Sequence, residues 1–278
     1  MNFSSIFEKA VVKKQYELVN SALDTLKLGE QMFNLNLGYV PIQEIPSLSV
    51  VQLSDDFPER ESYQLILEVI GDCLINDRDI LDISCGRGGT AFILKTYFQP
   101  RRYLGIDISL NAIEFCRQHH EADNILFQQG DAEAIRVEYM SFDVVINIDS
   151  SQHYPNILAF YREVYRVLRQ EGWFLYCAWL PAKKINAHLK VITSMGFELV
   201  SNVNISPNVV QSCKETADKY LNLWENHHLL QEKLGEISIT DLTNFICSPG
   251  SEKYEAFLSG EYEQRIFKFR KVSKKNLV

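Results

Sequence analysis

Ile80-Leu-Asp-Ile-Ser-Cys-Gly-Arg-Gly-Gly-Thr-Ala91 joins a β-rich run to a glycine turn and then to a helical stretch, Ala91-Phe-Ile-Leu-Lys-Thr-Tyr-Phe98. Gly86 permits the tight turn, Gly88 and Gly89 let a ligand approach the main chain, and the start of the helix offers unpaired N–H groups. About twenty residues on, at the end of the next strand, Asp107 in Leu104-Gly-Ile-Asp-Ile108 is placed to accept hydrogen bonds from both hydroxyls of a ribose. A nucleoside-type ligand is implied. The glycines alone leave its identity open, since Gly86-x-Gly88-x-x-Ala91 also fits the dinucleotide fingerprint of NAD enzymes, and such a turn can serve without a ligand.

From Tyr63 to about Ser206, amphipathic helices alternate with short β-rich runs at Asp79–Ser84, Tyr103–Ile108, Ile125–Gln129, Phe142–Ile148, Trp173–Trp179 and Phe197–Ile205. That alternation predicts an α/β fold, a Rossmann-like parallel sheet with helices on both faces. Asn156 is a candidate N-cap for a helix with Ile157, Phe160, Tyr161, Val164, Val167 and Leu168 on one stripe, ending near Gly172. Residues 1–60 read as a helical N-terminal cap or lid, and residues 61–278 as the main domain. Within it, 207–261 is a helical insertion before a last strand at Gln264–Val272, an excursion expected to cover the substrate.

The chain has 278 residues, and 28 Lys and Arg against 36 Asp and Glu leave a net charge of −8. An acidic chain is a poor partner for nucleic acid or an anionic membrane, which favours a small molecule. No apolar run approaches the ~20 residues of a membrane span, and the first residues lack a secretion signal, so the cytoplasm is the expected compartment. Six cysteines stand far apart without C-x-x-C pairs, which predicts free thiols and no metal site.

Three features favour S-adenosylmethionine as the nucleoside. Asp82 stands in the strand before the turn, where an acid meets a cationic amine and would repel a pyrophosphate. Gly130-Asp-Ala-Glu133 follows the third strand, where a carboxylate can accept from the adenine amino group, although a Gly-Asp pair also caps turns. The fourth strand ends in Asn147-Ile-Asp-Ser-Ser-Gln-His-Tyr-Pro155, a row of polar groups at the sheet's carboxyl edge.

The runs Asp82-Ile-Ser-Cys-Gly-Arg-Gly-Gly89, Gly105-Ile-Asp107, Gly130-Asp-Ala-Glu133, Phe142-Asp-Val-Val-Ile-Asn147 and Tyr161 to Trp173 resemble class I S-adenosylmethionine-dependent methyltransferases. Within that class the chain looks nearest to mycobacterial phthiotriol/phenolphthiotriol dimycocerosate O-methyltransferases and related enzymes of polyketide and nonribosomal-peptide pathways. The resemblance implies a seven-stranded sheet with its last strand antiparallel, and transfer of a methyl group to a hydroxyl of an apolar small molecule. By position it implies Gly86 and Gly88 at the methionine portion, Asp107 at the ribose, Asp131 and Ala132 at the adenine, and Asn147 beside the methyl group. Ser84 and Ile108 complete the expected cofactor set.

Deprotonating an alcohol calls for a base, and His153 is the candidate because imidazole titrates in the useful range. It could instead position the substrate or serve the fold. In the mycobacterial relatives the loop reads Ser-His-Cys-Tyr-Pro, which sets their histidine on Gln152; other natural-product enzymes carry His-His across Gln152 and His153. Asp149 is the candidate partner of the base, or a turn cap. Trp179 stands where some relatives have an acid. Tyr39, Gln152, Trp179 and Trp224 are the expected acceptor contacts. His119 and His120 read as a surface pair at a helix end, and His227 and His228, in the helical insertion, as a solvated face or as residues turned to the substrate. An N- or C-methyltransferase, or a non-catalytic cofactor-binding module, would share the same cofactor residues.

Overall fold

The computed structural model describes residues 9–25, 33–226 and 238–272. His227 and His228 lie outside them. Strands run β1 (Asp79–Ile83), β2 (Arg102–Asp107), β3 (Ile125–Gln129), β4 (Phe142–Ile148), β5 (Leu168–Pro181), β6 (Phe197–Asn204) and β7 (Tyr262–Lys271). They form one sheet in the order β3-β2-β1-β4-β5-β7-β6. The first five are parallel, and β7 enters antiparallel between β5 and β6. β1 lies at the centre with all five residues buried, as its unbroken Asp-Ile-Leu-Asp-Ile run between two helix layers requires.

The helices are α1 (Lys9–Thr25), α2 (Arg60–Ile70), α3 (Gly89–Tyr97), α4 (Leu110–His119), α5 (Ile157–Val167), α6 (Ile185–Ser194) and α7 (Ser206–Asn226). α8 (Ile239–Phe245) and α9 (Glu252–Leu258) follow before β7. Capping side chains fix several starts: Ser109 accepts from Ala112 N–H, and Asn156 accepts from Ala159 N–H. α5 buries Ile157, Phe160, Tyr161, Val164 and Val167, the expected stripe.

That helix ends earlier than its periodicity predicts. It stops at Val167 rather than near Gly172, because Leu168 already pairs with Phe142 and the chain bulges before Trp173 pairs with Val144. Glu171 takes a left-handed backbone, φ 63, inside that bulge. From β7, the buried Lys271 ammonium donates to the carbonyls of Tyr165 (2.6 Å) and Leu168 (2.7 Å), satisfying acceptors at the helix end.

The two ends of the segment between β6 and β7 meet. Ile205 N–H donates to Gln264 O at 2.9 Å, and Gln264 N–H donates to Ser206 Oγ at 2.9 Å. α7, α8 and α9 are thus a closed excursion from one corner of the sheet.

Candidate active site at the carboxyl edge of the sheet

A cavity of about 1120 Å³, its mouth included, opens beyond the C-terminal ends of β1, β2 and β4. Reversal of strand order at β1 and β4 leaves a crevice there, the usual ligand position in an open α/β sheet. The chain leaves β1 through Ser84 and leaves β4 through Asp149, both in left-handed backbone (φ 58 and φ 49). Strained backbone of this kind concentrates at functional sites.

Asp82, Ser84, Gly86, Asp107, Ile108, Asp131 and Ala132 all line the cavity. Gly86 has φ 53, and a Cβ placed on it would touch nothing within 4 Å, so its free side faces open space. Its N–H donates to Asp107 Oδ2 at 2.9 Å, while Ser109 N–H donates to Asp107 Oδ1 at 2.8 Å. Burial raises the Asp107 carboxyl above its usual range, against those two N–H donors. Asp82 accepts from Tyr103 OH at 2.7 Å, and burial pushes its carboxyl up to about 6 despite hydrogen bonds from Tyr103 and Thr90.

Gly88 differs from the sequence reading. It does not line the cavity, and a Cβ there would stand 2.5 Å from His120 Cδ2. The close approach this glycine allows (φ 85) is that of a protein ring. His120 is accordingly no surface residue: it is buried, hydrogen-bonds Arg87 O through Nε2 at 3.0 Å, and burial pushes it down to about 4. His119 alone of the pair stays at the exposed helix end, stacked on Phe115.

A short 3-10 turn, Ser151–His153, follows β4 and brings Asp149 and His153 to the cavity. Asp149 Oδ2 accepts from Leu37 N–H at 3.1 Å, and Gln264 donates to Oδ1; burial raises the carboxyl against both bonds. Burial and then the nearby Lys253 ammonium push His153 down to about 4, so the ring is neutral at pH 7. It packs edge-on to Tyr16 (6.0 Å between centres) and Trp179 (6.4 Å).

Other expected contacts stand one layer back. Asn147 is fully buried and does not line the cavity, because its amide donates to Ile83 O (2.8 Å), Ser150 Oγ (2.7 Å) and Tyr154 OH (3.0 Å). Gln152 donates to Asp149 O at 2.8 Å, and Tyr39 is buried; neither ring nor amide lines the cavity, and Trp179 reaches it only through His153. Trp224 lies on α7, but its side chain is outside the described residues.

The structure adds residues that the motifs did not single out. Tyr154 lines the cavity with its hydroxyl 2.6 Å from Ser84 Oγ, and its place in the Gln152-His-Tyr-Pro155 run was the available signal. α1 crosses the mouth. Its Lys9 pairs with Asp131 at 2.8 Å and with Glu133, Glu17 accepts from Leu110 N–H at the start of α4, and Asp24 and Asn20 take the Arg87 guanidinium at 2.8 and 3.2 Å. That guanidinium lies 3.6 Å over the Phe115 ring. Nothing in sequence spacing links a helix near residue 15 to a turn near residue 87.

The lining's chemistry suits a cationic nucleoside. Asp82, Asp107, Asp131, Glu133 and Asp149 line the cavity against Lys9 and Arg87, which are themselves tied to acids. Such a lining attracts a sulfonium and an α-amine and repels a pyrophosphate. With Gly86 open to the cavity and Asp107 beside it, the residues present fit S-adenosylmethionine.

Comparison with known proteins agrees. The family described as methyltransferase domain matches residues 81–176. A fatty-acid O-methyltransferase of Mycolicibacterium smegmatis is 29% identical over 239 residues, covering 85% of this chain and 82% of that protein. The protein named probable phthiotriol/phenolphthiotriol dimycocerosates methyltransferase 2 in Mycobacterium ulcerans is 30% identical over 203 residues, covering 73% and 76%. Among solved structures, the cyclase SpnF superposes over 94% of this chain and 96% of its own with a TM-score of 0.68 at 17% identity, a likeness of fold. On sheet order, cavity and relatives together, the chain belongs to the class I methyltransferases that use S-adenosylmethionine.

Proposed function

We propose that the enzyme methylates a hydroxyl oxygen of a small apolar metabolite, a lipid or a polyketide- or peptide-derived molecule. The observation that carries this reading is the presence of a neutral, half-buried His153 and of Asp149 in the same cavity as Gly86 and Asp107. S-adenosylmethionine supplies an electrophilic methyl group on a sulfonium. In this reading Asp107 takes the ribose hydroxyls, Asp82 and the Gly86 turn the methionine end, and Asp131 with Ala132 the adenine. Ser84 and Ile108 line the path between them.

The protein's work is then alignment and exclusion of water, with one proton to accept. His153 is the acceptor for it, since a neutral imidazole carries a basic ring nitrogen at pH 7. A base is most effective when its pKa is matched to the task, so a histidine at about 4 suits an acidic hydroxyl better than an aliphatic alcohol. Asp149 holds the loop through Leu37 and Gln264, while Trp179, Gln152 and Tyr39 shape the acceptor end from behind. The names of relatives, a fatty-acid O-methyltransferase among them, support oxygen as the acceptor atom.

The test is to supply carbon-13-labelled methyl donor with panels of hydroxylated lipids, polyketides and peptides, and to identify the bond formed by NMR. Label on oxygen supports the reading. Label on nitrogen or carbon overturns it and leaves the methyltransferase assignment untouched.

A further inference from the structure

α1 is anchored at both ends of its course over the cavity. Lys9 reaches Asp131 and Glu133, and Asn20 and Asp24 hold the Arg87 guanidinium beside the Gly86 turn. Tyr16 stands between those anchors, about 10 Å of helix from Lys9 and about 12 Å from Asp24. With adenine at Asp131 and the methionine portion at Gly86, the middle of that span is where methyl donor and acceptor meet. His153 is there too: its ring packs edge-on to the Tyr16 ring, 6.0 Å between centres at 75°. Both residues line the cavity, whereas Trp179, the ring on which His153 also packs, does not.

The Tyr16 phenol has a proton to donate and no acceptor for it. Among the described residues no hydrogen bond engages its hydroxyl, while Tyr154, the other phenol of the lining, is engaged by Ser84 (2.6 Å), Ser150 (3.0 Å) and Asn147 (3.0 Å). Burial first, then the Asp107 and Asp149 carboxylates, raise Tyr16 above the usual tyrosine range. The group is thus a donor at neutral pH and no base. Val12, Phe33, Leu35 and Ile66 line the same cavity, an apolar surround in which one donor counts for more than in water.

We infer that Tyr16 is a catalytic residue: its phenol donates a hydrogen bond to the acceptor oxygen while His153 takes that oxygen's proton. The inference rests on the O-methylation reading above and gives it a second residue. A hydroxyl has one proton and two lone pairs. The proton goes to a His153 ring nitrogen, and one lone pair accepts from Tyr16. The other forms the new bond to the methyl carbon as the carbon–sulfur bond breaks and its electron pair goes to sulfur. Tyr16 keeps its own proton, and the one positive charge passes from sulfonium to imidazolium.

Such a donor answers two difficulties of the site. The lining acids Asp82, Asp107, Asp131, Glu133 and Asp149 oppose a negative charge developing on the acceptor. A ring held down to about 4 is also a weak base for an alcohol. A hydrogen bond to the forming oxyanion weakens the acceptor's hold on its proton and offsets both.

The experiment uses two phenols, 4-pentylphenol and the more acidic 4-nitrophenol, with the native protein and with Tyr16→Phe, which keeps the ring against His153 and removes only the hydroxyl. Turnover of 4-pentylphenol is expected to fall about 10- to 100-fold in the variant, the worth of one hydrogen bond to a charged oxygen. The loss for 4-nitrophenol should be smaller, since its oxygen parts with the proton more readily. Calorimetry should show S-adenosylhomocysteine affinity unchanged in the variant. On protein saturated with S-adenosylhomocysteine, the visible band of bound 4-nitrophenolate should move to longer wavelength once the donor is removed. Full turnover in Tyr16→Phe, an equal loss with both phenols, an unmoved band, weakened S-adenosylhomocysteine binding, or binding of neither phenol overturns the inference while leaving O-methylation standing. Methyl transfer to 4-pentylaniline but to neither phenol removes both readings.

Discussion

The Gly86 N–H donates to the Asp107 carboxylate at 2.9 Å, so the turn after the first strand is tied to the end of the second. One carboxylate thereby fixes the shape of the turn and presents its remaining lone pairs to the cavity. Ser109 N–H holds its other oxygen at 2.8 Å, which leaves the group no freedom to swing away.

Asp107→Ala is expected to weaken S-adenosylhomocysteine binding about 10- to 100-fold, the worth of hydrogen bonds to a charged group, about 1.5–3 kcal/mol. Calorimetry on the purified variant checks it. Unchanged affinity would remove the ribose role given to this residue.

His153→Ala should lower kcat about 10²- to 10⁴-fold for a hydroxyl that must lose a proton, with cofactor affinity intact. In the native enzyme the ring takes up a proton only as pH falls toward about 4, well below the ordinary 6.5, because burial and Lys253 both disfavour the cation. At saturating cofactor, kcat should therefore show no acid break near 6.5 from this residue. A break there would mean that the ring is solvated during turnover.

Gly88→Ala tests the corrected role of the second glycine. A side chain at φ 85 with His120 Cδ2 at 2.5 Å must strain the backbone and move a buried ring, a loss of at least about 1 kcal/mol of stability. Gly86→Ala meets no atom and should be the milder change to the fold but the harsher one to cofactor binding. Urea unfolding and calorimetry on the two variants separate them; equal loss of stability would contradict the packing described for Gly88.

Lys9→Met releases Asp131 and Glu133 from the ammonium that spans them. If Asp131 receives the adenine amino group, the cofactor competes with Lys9, and the variant should bind up to about fivefold tighter, the ceiling set by an exposed pair of about 1 kcal/mol. Lys9 and Asp131 are 37% and 36% exposed, so little stability should be lost. Weaker binding would instead make Lys9 part of the cofactor site.

Much of the cavity lining was legible because it is local. Asp82, Gly86, Asp107 and Asp131 each sit at a strand end, and strand ends can be read from periodicity and turn residues. What escaped depends on register between distant segments. Gln264 reaches Asp149 only because β7 lies antiparallel beside β5, and Lys253 meets Trp179 only because α9 folds back over that strand. Asn147 stood in a correct motif but turned its amide inward to Ile83, a choice that hydrogen-bond demand makes and spacing does not record. The early end of α5 follows from Leu168 pairing with Phe142 on β4, and the carbonyls left there are satisfied by a lysine more than a hundred residues away.

The closed excursion between β6 and β7 bears on how such an enzyme can change. Its two ends are stitched together by Ile205, Ser206 and Gln264, so the segment behaves as an interchangeable cassette clipped to a fixed frame. The cavity residues at the cofactor end, from Asp82 to Ala132, lie outside it. A lineage can therefore trade one such cassette for another, and an engineer can graft one, without altering those cavity residues.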